Sequence, residues 1–208
     1  MNQGIHKLVE KYEADRNIYL TDRYNETHVR SDFLDPLFEL LGWDIKNKAG
    51  RPTNEREVIL EEPLKASASE NTKKPDYTFR LFAERKFFLE AKKPCVNIDK
   101  ADAPARQTRR YGYTANLKIS VLSNFEYLMI YDTSVKVGES DNNQKALIKK
   151  YHYKEYEENF EEIKRLLGKE SVYSGQFDEE WKDIEVRLKQ WSVDKQFLKQ
   201  INELKLVA

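Results

Sequence analysis

The sequence predicts an α/β fold, with a central mixed β-sheet flanked by helices and a C-terminal helical extension. Three observations predict it. Apolar residues recur at helical spacing near both ends of the chain. Short runs rich in β-formers, bounded by turn residues, fill the middle. The order of these segments is helix, helix, three strands, helix, two strands, then helices, which suits a sheet covered by helices.

Ile5, Leu8, Val9 and Tyr12 are spaced for one face of an opening helix. Asn25 can cap a second helix that carries Phe33, Leu34, Leu37, Phe38 and Leu41 on one side. Gly42 is a natural stop, and Pro36 predicts a kink inside the pattern. Residues 49–55 read as a loop, Val58 and Leu60 as a strand, and residues 66–74 as a polar and basic loop. Tyr77, Phe79 and Leu81 alternate with Thr78, Arg80 and Phe82, and Phe87-Phe88-Leu89 forms an apolar run. With a turn at Ala83-Glu84-Arg85, these two runs predict a hairpin. Ala103 to Thr114 reads as a helix. Ile119–Leu122 and Tyr127–Tyr131 read as strands around Ser123-Asn124, and Lys136–Lys145 as a polar loop. From Tyr153 onward the spacing of Phe160, Ile163, Leu166, Leu167, Trp181, Ile184, Leu188, Phe197, Ile201 and Leu204 is helical. The boundary is placed at residue 170, giving a main domain over 1–170 and a helical extension or connector over 171–208.

Composition narrows the function classes. The chain has 208 residues, 39% of them hydrophobic, enough for one sizeable core. Its 36 basic and 36 acidic residues cancel, so any affinity for a polyanion must be local. Cys95 is the single cysteine, which excludes an internal disulfide and fits a reducing compartment. His6, His28 and His152 show no zinc-ligand spacing. No apolar run approaches the roughly 20 residues of a membrane span, and the N-terminus lacks a signal-peptide core. A soluble, cytoplasmic protein with no membrane partner is expected.

The chemistry is concentrated in Pro75-Asp76, thirteen intervening residues, and Glu90-Ala91-Lys92. Residues two apart on a strand share a face, so Glu90 and Lys92 project together. The hairpin brings Asp76 to the same end of the sheet. The apolar run Phe87-Phe88-Leu89 makes this a core strand whose charged end needs a reason. Two carboxylates can hold Mg²⁺, with Mn²⁺ as a substitute, and the carbonyl of Ala91 can add a ligand. Such an ion polarises a phosphoryl oxygen and acidifies bound water, and Lys92 can orient or deprotonate that water or neutralise developing charge.

Pro-Asp…Glu-X-Lys resembles the core motif of the PD-(D/E)XK nuclease superfamily. Three further segments follow the same order. Asn25-Glu26-Thr27 opens a helix ending at Leu40-Leu41-Gly42-Trp43-Asp44, similar to the first helix of restriction-type nuclease domains, and the resemblance places Glu26 facing the metal. Gln107-Thr108-Arg109-Arg110-Tyr111 is similar to the Gln-x-x-x-Tyr element after the catalytic strand, which implies that Gln107 and Tyr111 support the site. Val121 to Glu126 and Ile130 to Asp132 resemble the strand pair that closes the sheet. Together these segments resemble the N-terminal nuclease domain of single-chain type IIG restriction–modification enzymes, and that of type I restriction subunits. The resemblance implies a restriction-endonuclease-like core and double-stranded DNA as substrate. It also implies methyltransferase and target-recognition modules on the same or other chains, and a transient dimer on DNA.

Local charge agrees. From Lys73 to Lys118 twelve basic residues face five acidic ones, an excess of seven. Lys73, Lys74, Arg106, Arg109 and Arg110 are the expected phosphate contacts. Two other readings stay open: a nuclease-like fold that binds nucleic acid or assembles a complex without cutting, and an α/β interaction domain whose tail packs on a partner.

Overall fold

The structure, a computed structural model, describes residues 2–64 and 74–187. Most of the loop expected at 66–74, and the tail positions Leu188, Phe197, Ile201 and Leu204, lie outside the described residues.

Helix α1 (Gln3–Tyr19) buries Ile5, Leu8 and Tyr12, and Asn2 caps it by accepting from the Gly4 amide at 2.9 Å. The second helical segment is three pieces in continuous helical sense: α2 (Glu26–Val29), a π-helical turn (Arg30–Leu34) and α3 (Asp35–Leu40). Asn25 caps it as expected, with its Oδ1 accepting from the His28 amide at 3.0 Å. The kink expected at Pro36 takes the form of the widened turn. Proline has no N–H for the carbonyl four residues earlier and its ring crowds it, so the helix loosens there. The Asp32 carbonyl is contacted instead by Lys11 Nζ at 3.3 Å. Gly42, at φ 95°, ends the segment in the left-handed conformation that favours glycine.

Six strands form one mixed sheet in the order β1 (Val58–Leu60), β2 (Tyr77–Leu81), β3 (Glu84–Ala91), β4 (Ile119–Ser123), β5 (Tyr127–Asp132) and β6 (Leu147–His152). Every pairing is antiparallel except β3 with β4, which α4 (Asp102–Thr114) connects as a crossover. Two expectations need correction. The hairpin turn is Phe82-Ala83, with Phe82 at φ 52°, because a two-residue loop demands a positive φ even without glycine. Strand β6 precedes the helices and goes unread in the sequence, because its solvent-facing edge carries Lys149-Lys150.

Alternate strand residues face opposite layers. Phe87, Leu89, Ile119 and Val121 join the main core under α1, the α2–α3 segment and the C-terminal helices α5 (Phe160–Leu167), α6 (Lys169–Ser174) and α7 (Gln176–Glu180). Phe88 and Leu122 face the other way, in smaller clusters with Tyr111 and Ala105 of α4. Val172, Phe177, Trp181 and Ile184, beyond the boundary placed at 170, belong to the main core. No helix among the described residues is long and apolar enough to cross a membrane.

Candidate active site

The candidate residues meet where β3 ends. Glu90 follows Phe88 by two, so it shares that residue's face and points toward α4. It is buried, with 4% exposure. Its Oε1 accepts from Lys92 Nζ at 2.5 Å and from Gln107 Nε2 at 2.7 Å. Gln107 Nε2 also lies 2.9 Å from the Tyr111 hydroxyl one helical turn on, so α4 supports Glu90 with two side chains of one face. The second oxygen, Oε2, is buried with no hydrogen-bond partner.

Asp76 precedes β2 and lies across from the end of β3. Its Oδ2 accepts from the Ala91 amide at 2.7 Å, and its Oδ1 from Arg30 Nη1 at 3.3 Å. Lys92 completes the group, with Glu26 Oε1 3.7 Å from its Nζ. Asp76, Glu90, Lys92, Glu26, Gln107 and Tyr111 are therefore brought together, Glu26 at the more exposed rim.

The charges depend on one another. Burial pushes the Glu90 carboxyl up to about 7, against the pull of Lys92, and Asp76 adds to the rise. Burial also lifts Asp76 above the usual carboxylate range, although the Ala91 amide, Arg30 and Lys92 hold it down. For Lys92 burial works downward, but Glu90, Glu26 and Asp76 outweigh it and keep it an ammonium. Burial raises the Tyr111 hydroxyl, which stays protonated at neutral pH.

The basic residues divide. Arg110 is exposed on α4, and with Arg106, Gln107, Tyr111 and Glu139 it lines an open cleft of about 570 Å³ beside Glu90. Arg106 donates to the Asp141 carbonyl at 2.7 Å. Lys74 is exposed next to Pro75, and Lys73 lies outside the described residues. Arg109 needs correction as a phosphate contact. Its side chain is fully buried, 2.8 Å from Asp141 Oδ2, and it also donates to the carbonyls of Val135 and Lys136. It ties the 135–141 loop to α4.

Sequence reasoning missed Arg30. It touches Asp76 and Glu61, and its guanidinium lies 5.0 Å from the centre of the Tyr77 ring. One signal was available: Arg30 is four residues after Glu26, so the helix that delivers one delivers the other.

No protein-family model matches the chain. Over 203 residues it is 60% identical to the "type II restriction enzyme and methyltransferase RM.Eco57I" of Escherichia coli. The match covers 98% of this chain and 20% of that protein, so the chain spans about a fifth of its relative's length. The solved "cryoEM structure DrdV-DNA complex" aligns with 80% of this chain and 96% of that one, at 14% identity and a TM-score of 0.41. The chain is thus related in sequence to a restriction enzyme.

Proposed function

We propose that this chain is a Mg²⁺-dependent DNA endonuclease module of the PD-(D/E)XK type, the cleaving part of a restriction–modification system. The observation that carries the reading is the convergence of Asp76, Glu90 and Lys92, backed by Gln107, at one end of the sheet. The relative's name, a restriction enzyme and methyltransferase, supports the same reading. Methyltransferase and target-recognition modules would lie in other parts of such a system, and a cytoplasmic location is part of the same reading.

Among the described residues no group of three or more His, Cys, Asp or Glu side chains is arranged to hold a metal ion. Mg²⁺ does not require one, since it is commonly held by one or two carboxylates, with waters and substrate phosphates filling the rest. Asp76 and Glu90 would hold it, and the unpartnered Oε2 of Glu90 fits a ligand awaiting a cation. When bound, the ion would supply Lewis acidity and a more acidic water. Lys92, held against Glu90, would orient the nucleophile or help deprotonate it and offset charge on the phosphate. Gln107 fixes the Glu90 carboxylate, as a supporting shell does for a ligand. Arg110 and Arg106 along the cleft, and the exposed Lys74 next to Pro75, would receive the DNA backbone, with a transient dimer accounting for cleavage of both strands.

Supercoiled plasmid incubated with the wild type and Lys92→Ala, each in Mg²⁺, Mn²⁺ or EDTA, tests this. Metal-dependent cutting by the wild type, reduced at least about 100-fold in the variant, is expected. Equal cutting by both proteins, or cutting that persists in EDTA, would overturn the assignment.

A further inference from the structure

Asp76 has no free side-chain oxygen: the Ala91 amide holds one and Arg30 the other. Arg30 is itself firmly placed. Its Nη1 also donates to Glu61 Oε1 at 3.2 Å, and its guanidinium lies against the Tyr77 ring. Tyr77 is locked in turn by donating its hydroxyl to Asp35 Oδ1 at 2.7 Å. Glu61 is held beside Asp76 by its own backbone, at φ 50°, with its amide donating to the Asp76 carbonyl at 3.1 Å. Four carboxylates, Asp76, Glu90, Glu26 and Glu61, thus surround two cations, Arg30 and Lys92. With all six ionised the cluster is two positive charges short, the charge of one divalent ion.

We infer that Arg30 is a built-in counter-cation that holds Asp76 when no divalent ion is bound and thereby sets the site's affinity for that ion low. The inference rests on the metal-dependent reading above. A divalent ion arriving at Asp76 has to meet a guanidinium within hydrogen-bond range of the same carboxylate. The side chains of Arg30 and Asp76 are only 17% and 18% exposed, so water screens that repulsion weakly. Arg30 acts on the metal through Asp76, which makes it a positioning residue. A purely structural role predicts the opposite of a charge role: loss of Arg30 would disorder Asp76 and weaken metal binding.

The test is titration of the whole chain with Mn²⁺, following the free ion by electron paramagnetic resonance. Wild type, Arg30→Met, Arg30→Lys and Asp76→Asn are compared, with circular dichroism to confirm folding. Arg30→Met is expected to bind Mn²⁺ about tenfold more tightly than wild type. Arg30→Lys, which keeps the charge, should stay near wild type, and Asp76→Asn should bind most weakly. Arg30→Gln carries the same expectation as Arg30→Met if the latter fails to fold. Folded Arg30→Met or Arg30→Gln with unchanged or weaker affinity overturns the inference, while loss of binding in Asp76→Asn leaves the metal reading standing. Absence of Mn²⁺ binding in wild type and every Arg30 variant removes the metal reading, and the inference falls with it.

Discussion

Arg109 and Arg110 are neighbours on α4, and the helix turns them about 100° apart. Arg109 is enclosed and paired with Asp141, whereas Arg110 stands in the open cleft beside Gln107. Arg109→Met leaves Asp141 without its cation, unties the 135–141 loop from α4 and lowers stability. Arg110→Ala should leave stability within about 0.5 kcal/mol but weaken DNA binding and lower its salt slope by about 1. Urea unfolding and DNA affinity at several salt concentrations measure both; full stability in Arg109→Met, or an unchanged salt slope in Arg110→Ala, would reverse these roles. The sequence could not separate the pair, because Arg106, Gln107, Arg109 and Arg110 are all polar and no apolar stripe fixes the helix phase there. Glu90 and Lys92 were legible for the contrary reason: strand parity and the apolar run before them leave one face available. Arg30 was harder to read: its spacing from Glu26 was the one signal, and its partners, Glu61 and Asp76, come from distant segments that only the fold joins.

Single elements are pinned to the sheet by charges as well as by apolar contact. Asp178 of α7 lies 3.3 Å from Lys86 of β3 and 2.7 Å from Lys118 just before β4. Burial works to raise the Asp178 carboxyl, but the two ammonium groups prevail and hold it below its ordinary value. A carboxyl lowered in the folded state stabilises above its unfolded value, here near 3.8, and loses that contribution as pH falls through the folded value. Asp178→Asn should therefore cost up to about 1 kcal/mol at pH 7, a modest figure because the side chain is 39% exposed and water screens the pairs, and much less at pH 3. Urea midpoints at the two pH values decide this; a gap equally wide at both would show that the charge is irrelevant. Strong patterns at this scale, such as Asn25 before its helix or the Phe87-Phe88-Leu89 run, were readable. Weak ones were not: β6 hides behind Lys149-Lys150, charged residues that suit an unpaired sheet edge. The widened turn before Pro36 was readable as an irregularity, but its π form depends on what the packed helix can accommodate.

At the scale of the molecule, the question is whether the helices after residue 168 fold with the sheet or beside it. Phe177 of α7 stacks on Phe87 of β3 with ring centroids 5.9 Å apart, and Phe87 in turn stacks on Phe79 at 4.4 Å. Trp43 and Phe38 close the same aromatic cluster, and Trp43 Nε1 donates to the Leu167 carbonyl at 2.8 Å. The C-terminal helices thus cover the underside of the strand that carries Glu90, and a defect in their packing is a defect beneath the site. Phe177→Ala should cost about 3 kcal/mol, since a large buried ring leaves a cavity that close packing cannot refill. For a domain of this size that is a drop of roughly 6–12 °C in Tm. If the helices and sheet form one cooperative unit, far-ultraviolet and near-ultraviolet dichroism will report a single shifted transition. The slowest-exchanging amides of β3 will then lose protection by the same free energy as the global change. If only residues 169–187 lose protection while β3 keeps its own, the helices are a separate unit, and the boundary near 170 divides the fold.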